Sequence, residues 1–205
     1  LNFYINEMSK IALKFGGTID KFIGDGIMIF FGDPESNGIE DDARKCLEMA
    51  LETQEKMENL KNYWGKNFGL REPLKTRIGI NTGICTVGNF GSEDRLDYTA
   101  MGSTVNLASR LESLANPGSV NVSEETKLLV SEYFKFAKPK EVQVKGFLRK
   151  IRYFEVMKTN NDSKKIINLH GDGFNLQIDE GKLNKKSLDN LQTKLTQFSK
   201  QKFLE

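Results

Sequence analysis

An amide and a guanidinium, Asn106 and Arg110, stand four residues apart in the string Arg95-Leu-Asp-Tyr-Thr-Ala-Met-Gly-Ser-Thr-Val-Asn-Leu-Ala-Ser-Arg-Leu-Glu112. Residues at that spacing share one face of a helix. Val105, Leu107, Ala108, Leu111 and Leu114 supply the apolar stripe of such a helix, and the residues before it read as a polar loop. Presented together, an Asn amide and an Arg guanidinium suit negative charge developing on a phosphate group. Taken alone, an N-x-x-x-R pair is more often a solvated polar face. Gly24-Asp25-Gly26 is an ordinary turn sequence between two apolar runs.

The elements that must position these groups are legible as patterns. Leu1, Ile5, Met8, Ile11, Ala12 and Phe15 predict a first helix, closed at Gly16-Gly17 by a left-handed cap. Thr18 to Phe31 predicts a β-hairpin around Gly24-Asp25-Gly26. Asp41 to Tyr63 predicts one long helix with an acidic start and a stripe of Ala43, Leu47, Ala50, Leu51, Gln54, Met57 and Leu60. Lys75–Asn81 and Gly83–Asn89 alternate as strands joined by an Asn81-Thr82-Gly83 turn, while Gly88, Gly91 and Gly102 make the segment after them loop-like. The Asn106 helix should stop near Asn116-Pro117-Gly118. A strand at 119–122, a helix capped by Ser123 and strands near 133–137, 141–145 and 151–157 follow. Strands interleaved with helices point to a layered α/β or α+β domain. After Lys158 a polar linker leads to weak strand patterns over 166–181 and a helix over about 185–203, with too little apolar surface to fold alone. The expected division is therefore 1–158 and 159–205.

Composition narrows the classes. The 205 residues carry a formal net charge of +2, which implies no general nucleic-acid footprint. No long uncharged apolar run suggests a membrane span or signal peptide. Cys46 and Cys85 lie far apart without a CxxC partner and read as reduced thiols of a cytoplasmic protein. His170 is the single histidine, so a His-rich zinc site is excluded. A P-loop is absent, and so is a GGDEF motif.

The string from Arg95 to Glu112 closely resembles the signature helix of class III nucleotidyl cyclases, which make cyclic AMP or cyclic GMP. Lys21-Phe-Ile-Gly-Asp25 resembles the family's hairpin, and Val144-Lys145-Gly146-Phe147 its Lys-Gly pair. Arg77-Ile-Gly-Ile-Asn-Thr-Gly83 is similar to its central strand and turn. These motifs fall in order over about residues 1–157.

The resemblance implies a ferredoxin-like βαββαβ-type α+β fold, an antiparallel-containing central sheet with flanking helices. It implies two divalent metal ions, Mg²⁺ or Mn²⁺, with Asp25 as one of two metal aspartates. Arg110 is implied at the α-phosphoryl group, Asn106 at the ribose and Lys145 at the β- and γ-phosphates, with Arg95 a further phosphate contact. Lys21 and Thr99 are implied to read the base. A Lys donor and a Thr acceptor match the N1 acceptor and 6-amino donor of adenine, and mismatch guanine. Guanylyl cyclases of the family typically place Glu where Lys21 stands.

The expected activity is thus an adenylyl cyclase, working on ATP as a homodimer with sites at the interface. The alternatives are a guanylyl cyclase or a catalytically incompetent cyclase-like module. The other metal aspartate, in a strand pattern like Phe-x-Asp-Ile-x-Gly-Phe, is expected upstream of residue 1, together with a sensory or membrane region.

Overall fold

The computed structural model describes residues 1–143, 149–157, 166–171, 174–179 and 184–203. The chain forms two compact units, residues 1–158 and 159–205.

In the first unit, helix α1 (Asn2–Lys14) ends where Gly16 takes φ +79°, and the Gly16 and Gly17 N–H groups donate to the carbonyls of Leu13 and Ala12. The predicted left-handed cap is therefore present. Strands β1 (Thr18–Ile23) and β2 (Gly26–Phe30) form the predicted hairpin, with Gly24 at φ +64° in its two-residue loop. Helix α2 (Ile39–Asn59) carries Glu40, Asp41 and Asp42 in its first turn, where carboxylates oppose the positive end of the helix dipole.

The single helix expected to Tyr63 divides at Leu60, whose ψ of −2° lies at the edge of the helical region, and α3 (Lys61–Phe68) follows. Aromatic packing explains the break. Trp64 is buried, and Tyr63 stacks on Phe3 at 4.6 Å between ring centroids. Turning the chain at Leu60 brings these rings onto the start of α1, where they bury apolar area.

The central sheet has the order β3 (Ile78–Ile80), β6 (Val120–Ser123), β8 (Ile151–Glu155), β7 (Lys140–Val142). β3 and β6 run parallel, with Ile78 beside Val120 and Ile80 beside Val122; the other pairings are antiparallel. All four residues of β6 are buried, as a central strand requires. Val120 and Val122 pack with Ala43, Leu47 and Ala50 of α2 and Val130 of α5 (Glu124–Val130). Leu107 and Leu111 of α4 (Ser103–Ser113) pack instead with Tyr153. Helix, sheet and helix thus form layers, and the α+β architecture is the expected one. Ser123 caps α5 by accepting from the Thr126 N–H at 3.3 Å, as its sequence position predicts.

A second core joins Met8, Ile11 and Ala12 of α1 to Met49 and Met57 of α2, with Ile19, Ile27 and Ile29 of the hairpin against it. Cys46 touches both cores, and burial pushes its thiol up to about 12. Cys46 and Cys85 are both free thiols.

The segment expected to be loop-like is a second hairpin. β4 (Thr86–Ser92) pairs antiparallel with β5 (Arg95–Met101) along its whole length. Its glycines suggested a loop, but a ribbon that turns tightly needs one: a Cβ at Gly91 (φ +153°) would lie 1.9 Å from the Arg95 carbonyl oxygen. Asn81-Thr82-Gly83 does not join paired strands, since β3 and β4 belong to different sheets. The strand expected at 133–137 reduces to one bridge between Phe136 and Val156.

In the second unit, β9 (Ile166–Gly171) and β10 (Phe174–Asp179) form an antiparallel hairpin, and α6 (Lys185–Phe203) begins with the Asn184 Oδ1 accepting from the Ser187 N–H at 2.9 Å. Strand and helix patterns there match the sequence reading.

Two contacts seat α4, and both are testable. A Cβ at Gly79 would lie 2.1 Å from the Glu112 nitrogen and 2.2 Å from the Ala108 oxygen, so only glycine lets β3 and α4 approach this closely. Asn121, on the same face, donates to the Leu111 carbonyl, one of the orphan acceptors at the end of α4. Gly79→Ala should cost about 1–3 kcal/mol, read as a clear fall in Tm; an unchanged Tm would contradict the packing.

Acid stability supplies a second check. Glu7 of α1 is held down from its ordinary 4.5 to about 2 by hydrogen bonds from Lys10 and from Lys56 of α2. A depressed carboxyl stabilises the fold above its unfolded value, and that contribution is lost as pH falls from about 4.5 toward about 2. Denaturant titrations across that window should show a shallower acid-side decline for Glu7→Gln than for the wild type.

Candidate active site

Three elements carry the groups singled out in the sequence. The β1–β2 hairpin carries Lys21 and Asp25, the β4–β5 hairpin carries Arg95 and Thr99, and α4 carries Asn106 and Arg110. Lys145 lies outside the described residues.

The first hairpin is irregular at one place. Ile19 pairs with Ile29 and Lys21 with Met28, so Asp20 is an extra residue, a β-bulge. Its side chain is fully buried. Asp20 Oδ2 accepts the Thr99 hydroxyl at 2.7 Å and the Ala100 N–H at 2.8 Å, both from β5. The Lys21 ammonium lies 3.3 Å from Oδ1, an ion-pair contact outside hydrogen-bond geometry, and Oδ1 has no hydrogen bond among the described residues. One buried carboxylate therefore gathers Lys21 and Thr99, the two base-reading residues implied by resemblance. Asp20 itself was missed by the sequence reading. Its signal was an acidic residue inside an apolar strand, next to a lysine.

Further contacts tie β5 to the first hairpin. The Tyr98 hydroxyl donates to Asp33 just beyond β2, which pushes the Tyr98 phenol up from its ordinary value. The Tyr98 and Phe30 rings lie 6.4 Å apart. Across the β4–β5 ribbon Thr99 faces Gly88, which has no side chain to cover it.

Helix α4 holds its polar pair outward. Leu107 and Leu111 are buried while Asn106 and Arg110 are exposed, as the four-residue spacing requires. The first turn of α4 is anchored from the loop after β3: the Asn81 amide donates to the Thr104 carbonyl at 2.9 Å, and the Thr104 hydroxyl donates to the Ile84 carbonyl at 2.7 Å. Residues read as a simple turn thus fix the start of the helix.

Asp25 sits exposed in the hairpin loop and Arg95 is 83% exposed, 3.7 Å from Asp97. Among the described residues, no hydrogen bond or ion pair links Asp25, Asn106 or Arg110 to one another or to Lys21 and Thr99. Nor does any group of three or more His, Cys, Asp or Glu side chains among them converge on a metal position. Asp25, exposed and unpaired, fits as one carboxylate ligand of a hard cation, and further ligands would have to come from elsewhere.

The first unit is thus a layered α+β domain in which one buried carboxylate joins a lysine of one hairpin to a threonine of the other, with an Asn/Arg pair facing outward on a helix. Residues 1–159 match the model of the adenylate and guanylate cyclase catalytic domain, and the chain belongs to that family. It is 38% identical over 114 residues to adenylate cyclase 1 of Rhizobium meliloti, a match that covers 56% of the chain and 16% of that relative. Among solved structures, the adenylyl cyclase CyaB from P. aeruginosa is 47% identical with a TM-score of 0.74, covering 78% of this chain and 82% of that one. The guanylyl cyclase Cya2 is 35% identical with a TM-score of 0.71, covering 78% and 81%.

Because Asn106 and Arg110 are exposed and make no side-chain bonds among the described residues, Asn106→Ala and Arg110→Ala should each change stability by less than about 0.5 kcal/mol. Chemical denaturation of both variants checks this. A loss of several times that size would mean that the pair holds the helix in place rather than facing a ligand.

Proposed function

We propose that this chain is the catalytic domain of an adenylyl cyclase, converting ATP to 3′,5′-cyclic AMP and pyrophosphate. The observation that carries the reading is the pairing of Lys21 and Thr99 on the Asp20 carboxylate. Lys21 donates to adenine N1, and Thr99 accepts from the 6-amino group. Guanine offers a donor at N1 and an acceptor at O6, so the same pair would meet it with like against like.

In the reaction the ribose 3′-oxygen attacks the α-phosphorus. The bond from that phosphorus to the bridging oxygen breaks, pyrophosphate leaves, and the 3′-hydroxyl proton passes to solvent. Two divalent cations, when bound, ease loss of that proton and neutralise the phosphates; Asp25 would be one of their ligands. Arg110 opposes the charge that builds on the α-phosphoryl oxygens, and Asn106 orients the ribose. Lys145 holds the β- and γ-phosphates.

The site is shared between two copies. Phe22, Ile23, Leu96 and Met101, on the two hairpins, are large apolar residues exposed in the single chain, and Ile84 is 97% exposed. Apolar surface of this kind favours association. A symmetric dimer would bring Asp25 of one copy to Arg110 of the other. No helix among the described residues is long and apolar enough to cross a membrane. The reading puts the domain on the cytoplasmic side, where ATP is supplied; a sensory or membrane region in the whole protein is expected from the family resemblance alone.

The test is turnover of ATP and GTP by the full-length protein with Mn²⁺. Cyclic AMP should dominate, and Arg110→Ala should lower kcat by about 10²–10³-fold with a much smaller change in KM. Equal or greater turnover of GTP would favour a guanylyl cyclase. Failure with both nucleotides in a demonstrated dimer would favour a regulatory module without turnover.

A further inference from the structure

Resting on the adenylyl reading above, we propose that Asp20 is the residue that makes Thr99 selective for adenine, by fixing where the threonine proton points. A threonine hydroxyl is ordinarily ambiguous. It has one proton and two lone pairs, and it rotates to suit its neighbour. Left free, Thr99 would accept from the 6-amino group of adenine or donate to O6 of guanine, and would discriminate little between them.

Asp20 removes the ambiguity. An ionised carboxylate only accepts, so at 2.7 Å from Asp20 Oδ2 the Thr99 oxygen is the donor. The other acceptor in reach, the Ala100 carbonyl, is neutral and lies at 3.5 Å. Charge-assisted bonds are shorter and stronger than neutral ones, which decides between them. With its proton committed, Thr99 presents only lone pairs. It accepts the adenine amino group and sets lone pairs against guanine O6.

Three features make the arrangement rigid. The Ala100 N–H on the same carboxylate oxygen, at 2.8 Å, fixes Asp20 against the β5 backbone. The Asp20 side chain is fully buried, so water does not compete for its oxygens. The bulge adds one residue to β1, letting Asp20 reach β5 while Lys21 keeps its pairing with Met28. Lys21, 3.3 Å from Oδ1, balances the buried charge and is held as the donor for adenine N1. Asp20 touches no part of the base and acts through its two neighbours, so it is a positioning residue.

The test is binding of 3′-deoxy-ATP and 3′-deoxy-GTP, which keep base and triphosphate but cannot cyclise, to the full-length protein by calorimetry. Asp20→Leu keeps the bulk of the side chain but removes both acceptors, which frees the hydroxyl proton. The ATP-to-GTP affinity ratio should fall about tenfold, one hydrogen bond's worth, with tighter GTP analogue binding making up much of the change. In a Thr99→Val background the same Asp20→Leu change should leave the ratio unaltered, since its effect runs through the hydroxyl.

Should the variants fold poorly, the wild type still gives a reading. By NMR with threonine labelling, the Thr99 hydroxyl proton should be protected from exchange with water, and rapid exchange would overturn the proposal. An unchanged ratio in Asp20→Leu, or an equal loss of both analogues, would also overturn it, the latter marking a merely structural carboxylate. A wild type with no base preference would sink the base reading and Asp20 together. A wild type that prefers the ATP analogue yet makes no cyclic nucleotide would remove the catalytic reading and leave the role of Asp20 intact.

Discussion

The two hairpins at the candidate site share no strand ladder, and a single buried carboxylate does the work of one. β1–β2 and β4–β5 are separate two-stranded sheets. Asp20 accepts a side-chain and a backbone donor from β5. A carboxylate in a dry interior is costly unless it is bonded and its charge balanced. Thr99 and Ala100 bond one of its oxygens and Lys21 balances its charge, and in doing so they are drawn to one point. The balancing of a buried charge and the assembly of the proposed base-reading pair are thus the same interaction.

The remaining groups depend on a different constraint, the close seat of α4 on the central sheet. The bare backbone of Gly79 lets the helix approach, Asn121 ties down its end, and the loop from Asn81 to Ile84 anchors its start. With the buried face fixed by Leu107 and Leu111, the outward direction of Asn106 and Arg110 follows from helical geometry alone. The seat of the helix fixes the backbone of the pair, while the two exposed side chains, without bonds among the described residues, keep the rotameric freedom to meet a ligand.

Much of this was legible in the sequence because it rests on local periodicity. The Asn106–Arg110 face, the Gly24-Asp25 hairpin loop, the Ser123 cap and the tail helix each follow from residues a few positions apart. Non-local relations escaped it. β5 read as a loop because glycines argue against strands, whereas its pairing with β4 tolerates Gly88 and Gly91. The division at Leu60 answers to aromatic packing against α1, invisible in the helical stripe. Asp20 was passed over for the same reason: its partners lie about eighty positions away, and one bulge residue looks like any other in a strand pattern.

The claim on which most rests is that one site is built from two copies, with Asp25 from one and Arg110 from the other. Co-expressing Asp25→Asn and Arg110→Ala forms of the full-length protein tests it directly. Each variant alone should be nearly inactive with ATP and Mn²⁺. In the mixture, half of the randomly paired dimers hold one intact site of two, so activity should return to about a quarter of wild type. A mixture no more active than either variant, with mixed dimers demonstrated by two affinity tags, would contradict the shared site.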